Sequence, residues 1–289
     1  MELKPRIEYY LIGKGVEYKM LSSFFISFRE GLEAFLIIGI IISYLYKINE
    51  KKYIKHVIFG VLSAIVLSIS LAYIFELLLG GFEGKIEQIF EGSVMLLAVA
   101  VLTYMIFWMN NQAKKIKSDI EISVENAINK GKIFSLFLLG FIVVLREGAE
   151  TALFFRAISF QTSSKELIIG GIIGIITSII LALIFFISTK KINLSLFFRI
   201  TGILIMFIAA GLLSSSLHEF QEAKIIPVIK ESVYDISNFI SSDSITGGIL
   251  KSLFGYNPSP SLLEIIIYLA YVSVIIILIR RFFFRVRKT

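Results

Sequence analysis

The sequence predicts an all-α polytopic membrane protein with seven transmembrane helices: an inverted repeat of three helices (1–3 and 4–6) plus a seventh helix. Three observations predict it. Apolar residues make up 56 % of the 289 residues and charged residues only 18 %, against about a quarter charged in soluble domains. The apolar residues fall into seven runs near the length that spans a bilayer, about 20 residues. A five-residue charged motif occurs twice, once in the first run and once in the fourth.

The runs are, in order, 20–46, 56–79, 89–109, 133–158, 166–188, 196–216 and 261–280. They divide the chain into an N-terminal segment 1–19, a first three-helix repeat 20–109, a loop 110–132, a second repeat 133–216, a loop 217–260, and a last helix with a basic tail, 261–289. Segment 1–19 has no apolar stretch followed by a small-residue cleavage site, so the first run reads as a retained span.

Basic residues sort the loops. Residues 47–55 hold four lysines, 110–132 hold five, the turn with Lys190, Lys191 and Arg199 holds three, and the tail from Arg280 holds five. The alternate loops carry Lys85, Lys165, and Lys224, Lys230 and Lys251. Basic loops stay cytoplasmic. The amino terminus is therefore expected outside and the carboxy terminus inside, in a plasma or inner cell membrane. The four basic residues of segment 1–19 run against this rule and are outvoted.

The outer loop 217–260 contains Pro227, a serine-rich stretch and Gly247-Gly248. Ile225, Ile226, Val228, Ile229, Val233 and Ile236 predict an amphipathic helix lying along the membrane surface there. Asn257-Pro258-Ser259-Pro260 ends the loop.

The repeat is read from two alignments. Residues 58–75 align with 168–185, with Gly60 on Gly170 and Ser68 on Ser178. Arg29-Glu30-Gly31-Leu32-Glu33 aligns with Arg146-Glu147-Gly148-Ala149-Glu150. A unit of three spans reverses its direction on second use, so the copies are inverted, and such folds bind their substrate near the midplane between the copies.

Within each motif the two glutamates are three residues apart, and the arginine is four before the second, so all three share a helix face. An ionised residue at a helix centre costs about 2.5–3.5 kcal/mol, so six unpaired ones would cost on the order of 15 kcal/mol. Four carboxylates against two guanidiniums leave −2, which a multivalent cation or protons can balance. Carboxylate oxygens favour hard cations, and the motifs contain no histidine or cysteine for softer ones. Glu30, Glu33, Glu147 and Glu150 are thus candidate metal ligands, with Arg29 and Arg146 as supporting charge. Structural clamps between helices are the bland alternative; the symmetric duplication argues against it.

A second acidic set faces outside. Glu83, Glu87 and Glu91 recur every four residues and can form a funnel that concentrates cations. His218, Glu219 and Glu222 follow span six, and His218 and Glu222 have the spacing of two ligands on one metal. Glu91 joins this set as a candidate ligand. Arg156 is expected to snorkel at a span end. Tyr104 and Trp108 read as interfacial anchors.

Other classes fit poorly. The net charge of +7 lies in loops as topology signals, so no nucleic-acid partner is expected; membrane lipids are. There is no cysteine, no HExxH and no Ser–His pair at depth, so the chain reads as no enzyme. The short inner loops offer no output domain for a receptor.

These residues resemble the oxidase-coupled iron permease family, the high-affinity iron permeases of fungi and their bacterial iron and lead transporter relatives. The resemblance spans roughly 20–280. It rests on the two Arg-Glu-Gly-x-Glu motifs, with Phe90-Glu91-Gly92, His218-Glu219-Phe220-Gln221-Glu222-Ala223, Leu253-Phe254-Gly255-Tyr256 and Pro260-Ser261-Leu262-Leu263-Glu264 beside them. It implies seven spans, inward transport of iron as substrate (Fe3+ or Fe2+) without an organic cofactor, and ligation by Glu30, Glu33, Glu147 and Glu150. It also implies a separate iron oxidase or an extracytoplasmic iron-binding protein as partner. The competing reading is a proton-coupled transporter of another divalent metal, such as lead or manganese, or of another substrate.

Overall fold

A computed structural model describes residues 20–79, 83–112, 116–187, 194–241 and 244–286; segment 1–19 lies outside them. The described residues fold into nine α-helices joined by turns, with no strand among them: α1 (Leu21–Lys47), α2 (Ile54–Leu79), α3 (Lys85–Gln112), α4 (Ile116–Asn129), α5 (Ile133–Ser159), α6 (Ser164–Ile187), α7 (Leu194–Glu222), α8 (Ile245–Phe254) and α9 (Leu262–Val286). Five of them, α2, α3, α6, α7 and α9, contain a stretch long and apolar enough to cross a membrane. α1 and α5 have the length as well, 27 residues each, and carry the charged motifs. Exposed apolar residues such as Leu62 and Val66 on α2 and Ile172 and Ile176 on α6 form apolar outer faces, the surface that lipid requires.

Two expectations about the loops change. The stretch Ile225–Ile236 is not helical. Lys224 adopts φ 55° at the end of α7, and Pro227 lacks the N–H that a helix running through 225–236 needs in its interior. The helix of this loop forms later, as α8. Ser244 caps its start, accepting from Gly247 N at 3.1 Å, and Gly255 closes it at φ 65°, the left-handed conformation glycine adopts freely. The loop 110–132 in turn contains α4, whose Ile116, Ile120, Val124, Ala127 and Ile128 join a core with α1 and α5. That spacing, i, i+4, i+8, was visible in the sequence. α7 also runs past residue 216 to Glu222, so the His218–Glu222 group sits on its last turn.

The packing is reciprocal. α1 lies along α6, α2 lies along α5, and α3 lies along α7. Along α1 and α6 the contacts rise together: Gly170 meets the Met20 carbonyl and Ser23, Gly174 meets the Phe24 carbonyl, and Gly31 meets Ser178. Along α2 and α5, Gly60 meets the Phe137 carbonyl, Gly140 meets the Val57 carbonyl, and Gly148 meets Ser68. Both pairs are therefore parallel, which helices joined by a short turn cannot be. The glycines let the backbones approach directly, as small residues do between membrane helices. α1 and α5 cross in opposite directions: Ile26 early in α1 clusters with Phe154, Ala157 and Ile158 late in α5, while Ile41 and Leu45 cluster with Leu136 early in α5. This crossing brings the two charged motifs to the same level.

Candidate metal site

On α1, the Arg29 guanidinium holds both glutamates of its own motif. Nη1 is 2.7 Å from Glu30 Oε1, and Nη2 is 2.9 Å from Glu33 Oε1. Nη1 also faces the Met105 sulfur of α3 at 3.4 Å. On α5, Arg146 Nη2 reaches Glu147 Oε1 at 2.6 Å, and Nε lies 3.8 Å from Glu150 Oε1. The guanidinium of Arg146 stacks on the ring of Trp108 at 4.5 Å. α3 thus touches both arginines through residues three apart on one face.

The copies are alike in sequence and unlike in environment. The Arg29 side chain is 3 % exposed and that of Arg146 is 40 %. Glu30, Glu33 and Glu147 are buried, whereas Glu150 is partly exposed. Glu30, Glu33 and Glu147 each offer a carboxylate oxygen, and those oxygens lie within 4.8 Å of one another. Three carboxylate oxygens at that separation, from two helices, can converge on one hard cation. Glu150 stands beside this trio, against Arg146.

The trio is short of hydrogen-bond donors. Glu30 Oε2, Glu147 Oε2 and Glu150 Oε2 are buried without a hydrogen-bond partner. A buried carboxylate oxygen left in that state is costly, and the free energy falls when a cation or a proton takes it up.

A cavity of about 1010 Å³ opens beside the trio. Glu30 and Glu147 line it, and so do Glu87, Glu91 and Arg156. Glu87 and Glu91 therefore share a space with the motif glutamates. Glu83 is exposed and does not line it. The Arg156 guanidinium lies over the Phe160 ring at 4.7 Å.

The His218 group takes a different form from the spacing argument. His218 Nε2 is 3.2 Å from Glu222 Oε1, and Nδ1 is 3.1 Å from Glu264 Oε1. Gln88 donates to Glu222 Oε2 at 3.0 Å and Asn257 donates to Glu264 Oε2 at 2.9 Å. Both imidazole nitrogens are engaged, so a metal at His218 has to displace a carboxylate. Glu219 lies in the electrostatic reach of Glu91 and Glu87.

Sequence reasoning gave three residues no part in the site: Glu264, named only within a motif, Trp108, read as an anchor, and Met105. Glu264, buried at the first turn of α9, ties that helix to α7; Ser261-x-x-Glu264 has the pattern of a helix-start capping box, and its Ser261 hydroxyl accepts from Glu264 N at 3.3 Å. Met105 and Trp108 were legible only as apolar and interfacial residues. Their contacts with the arginines depend on how α3 sits against α1 and α5.

Comparison with known proteins follows the motifs. The sequence profile of the iron permease FTR1 family matches residues 20–287. The chain is similar to the ferrous iron permease EfeU of Yersinia pestis, 34 % identical over 272 residues, which is 93 % of this chain and 95 % of that protein. The EfeU of Yersinia pseudotuberculosis serotype I is 34 % identical over 268 residues, 92 % of this chain and 93 % of its own. That of Escherichia coli O157:H7 is 33 % identical over 254 residues, 87 % of this chain and 92 % of its own. No solved structure matches.

Proposed function

The chain belongs to the iron permease FTR1 family, and on that premise we propose that it moves iron across the cell membrane into the cytoplasm through a midplane site built on Glu30, Glu33 and Glu147. The observation that carries the reading is the convergence of these three carboxylate oxygens within 4.8 Å, with unpartnered buried oxygens on Glu30 and Glu147. Glu150 is the fourth acidic group of the site. Arg29 and Arg146 offset part of the negative charge, which keeps binding weak enough for release.

The proposed topology is seven transmembrane helices, α1–α3 and α5–α7 as inverted repeats and α9 outside them. The reciprocal packing of α1 on α6 and α2 on α5 supports it, as does the basic character of alternate loops. Transport then proceeds by movement of one repeat against the other around the shared site. Glu87 and Glu91 gather the cation at the outer mouth, with Glu219, Glu222 and His218 beside them. A separate iron oxidase or an extracytoplasmic iron-binding protein supplies the ion.

The test is uptake of radioactive iron by proteoliposomes, with ferrous and ferric iron offered separately and lead and manganese as competitors. Glu30→Gln and Glu147→Gln should each abolish uptake in protein that inserts normally. Full uptake by both variants would sink the assignment.

A further inference from the structure

Serine and threonine hydroxyls inside helices ordinarily donate to a carbonyl one turn back. Ser70, Ser93 and Thr177 do so here, to Val66, Ile89 and Ile173. Ser178 donates to the Ile175 carbonyl at 2.7 Å. Ser27 and Ser68 depart from this pattern: both hydroxyl oxygens are buried without a hydrogen-bond partner. Ser68 aligns with Ser178 between the two repeats, so the same position is satisfied in one copy and unsatisfied in the other.

Both exceptions line the large cavity, together with Glu30 and Glu147. Ser27, 1 % exposed, precedes Glu30 by three residues and so shares its helix face. Ser68 lies against Gly148, next to Glu147. Each unsatisfied hydroxyl thus neighbours a glutamate that itself keeps an unpartnered oxygen, and the two sit on different helices facing one space. A cation leaving water needs oxygen donors in place of its hydration shell, and neutral donors bind weakly enough to pass it on.

We propose that iron reaches the glutamate cluster through this cavity, and that the hydroxyl oxygens of Ser27 and Ser68 are neutral ligands to the ion on its way to Glu30 and Glu147. This rests on the iron-permease reading above. It adds two ligand residues and a water-filled route to it. The route runs from Glu87 and Glu91 to Glu30 and Glu147, all four of which line the cavity.

The chain contains no cysteine, so single thiols can be introduced without background. The full chain carrying Ser27→Cys or Ser68→Cys is reconstituted in vesicles and treated with a charged, membrane-impermeant methanethiosulfonate. Ile180→Cys, on the exposed outer face of α6, serves as the lipid-facing control. Both serine variants should react, ferrous iron should slow the reaction by about tenfold, and the control should stay unmodified. In transport, Ser27→Ala and Ser68→Ala should each raise KM for iron by up to about tenfold, the size of one lost polar contact. Ser27→Thr and Ser68→Thr should restore it.

If the thiols react only with a membrane-soluble maleimide, the cavity holds lipid and the proposal fails. If they react without protection by iron while uptake persists, the hydroxyls are not ligands and the proposal fails with the permease reading intact. Labelling without iron does not depend on transport, so it separates these outcomes from a failure of the permease reading, which shows as full uptake by Glu30→Gln and Glu147→Gln.

Discussion

Gly148 of α5 rests its backbone against the Ser68 side chain of α2, so closely that a Cβ on the glycine would overlap the serine hydroxyl and come within 2.6 Å of its Cβ. The matching contact of Gly31 with Ser178 is looser, with the serine Cβ at 3.3 Å from that position. A hydroxyl can rotate away; a Cβ fixed to the backbone cannot. Gly148→Ala should therefore lower stability by about 1–3 kcal/mol, and Gly31→Ala by less. Gly60→Ala, which meets the Phe137 carbonyl, should resemble Gly148→Ala. Gly202→Ala, with open space around it, should be neutral or mildly stabilising, since alanine is the better helix former. Thermal unfolding in detergent reads the order.

Arg29 uses two different nitrogens for two carboxylates. A lysine offers a single point charge and cannot reproduce that fork. Arg29→Ala should cost about 3–5 kcal/mol, because it leaves buried carboxylates without their partner. Arg29→Lys should recover only part of the loss. Arg146→Ala should cost less than Arg29→Ala, since its side chain is 40 % exposed against 3 % for Arg29, and an ion pair that is not fully buried contributes less. Denaturation midpoints of the three variants check this.

Trp108 fixes the half-exposed guanidinium of Arg146 from its flat face. Trp108→Ala should destabilise the protein by about 1 kcal/mol and Trp108→Phe by less, because a phenyl ring retains a weaker form of the same attraction. If the tryptophan served solely as an interfacial anchor, both variants would leave an Arg146→Ala background as sensitive as the natural one. A double-mutant cycle between positions 108 and 146 decides the matter.

Glu264 joins α9 to α7 and to the loop before it through His218, Asn257 and Ser261. Glu264→Ala leaves a buried part of that network unsatisfied and should cost about 1–3 kcal/mol. Glu222, half-exposed at the other side of the imidazole, should contribute less than 1 kcal/mol. Thermal unfolding of the two alanine variants compares them directly.

A cation bound by the buried trio stabilises the folded protein by mass action. Iron at about a hundred times its dissociation constant should add about 2.7 kcal/mol, read as a rise in Tm. Glu147→Gln should remove most of the increment. A rise that survives this substitution would place the bound ion elsewhere, the Glu91 and His218 group being the first candidate.

The sequence by itself determined the helical class, the apolar runs, the duplicated motif and the family. These are one-dimensional properties: a run of about 20 apolar residues, a charge that lipid will not accept alone, a spacing that places three charges on one face. The tertiary structure decided which helices meet. Parallel pairing of α1 with α6 and of α2 with α5 joins residues far apart in the chain, such as Gly31 with Ser178 and Gly148 with Ser68, and no local periodicity encodes it. It also decided that α3 serves both arginines, that Glu264 engages His218, and that the two copies of one motif differ in exposure. Burial depends on what the rest of the chain places around a residue, so the same Arg-Glu-Gly-x-Glu pattern acquired different surroundings. The misplaced surface helix has the same cause in reverse. Ile225–Ile236 carries a helical pattern of apolar residues, yet Pro227 withdraws a donor, and a capped start at Ser244 with a glycine stop at Gly255 set the helix further along.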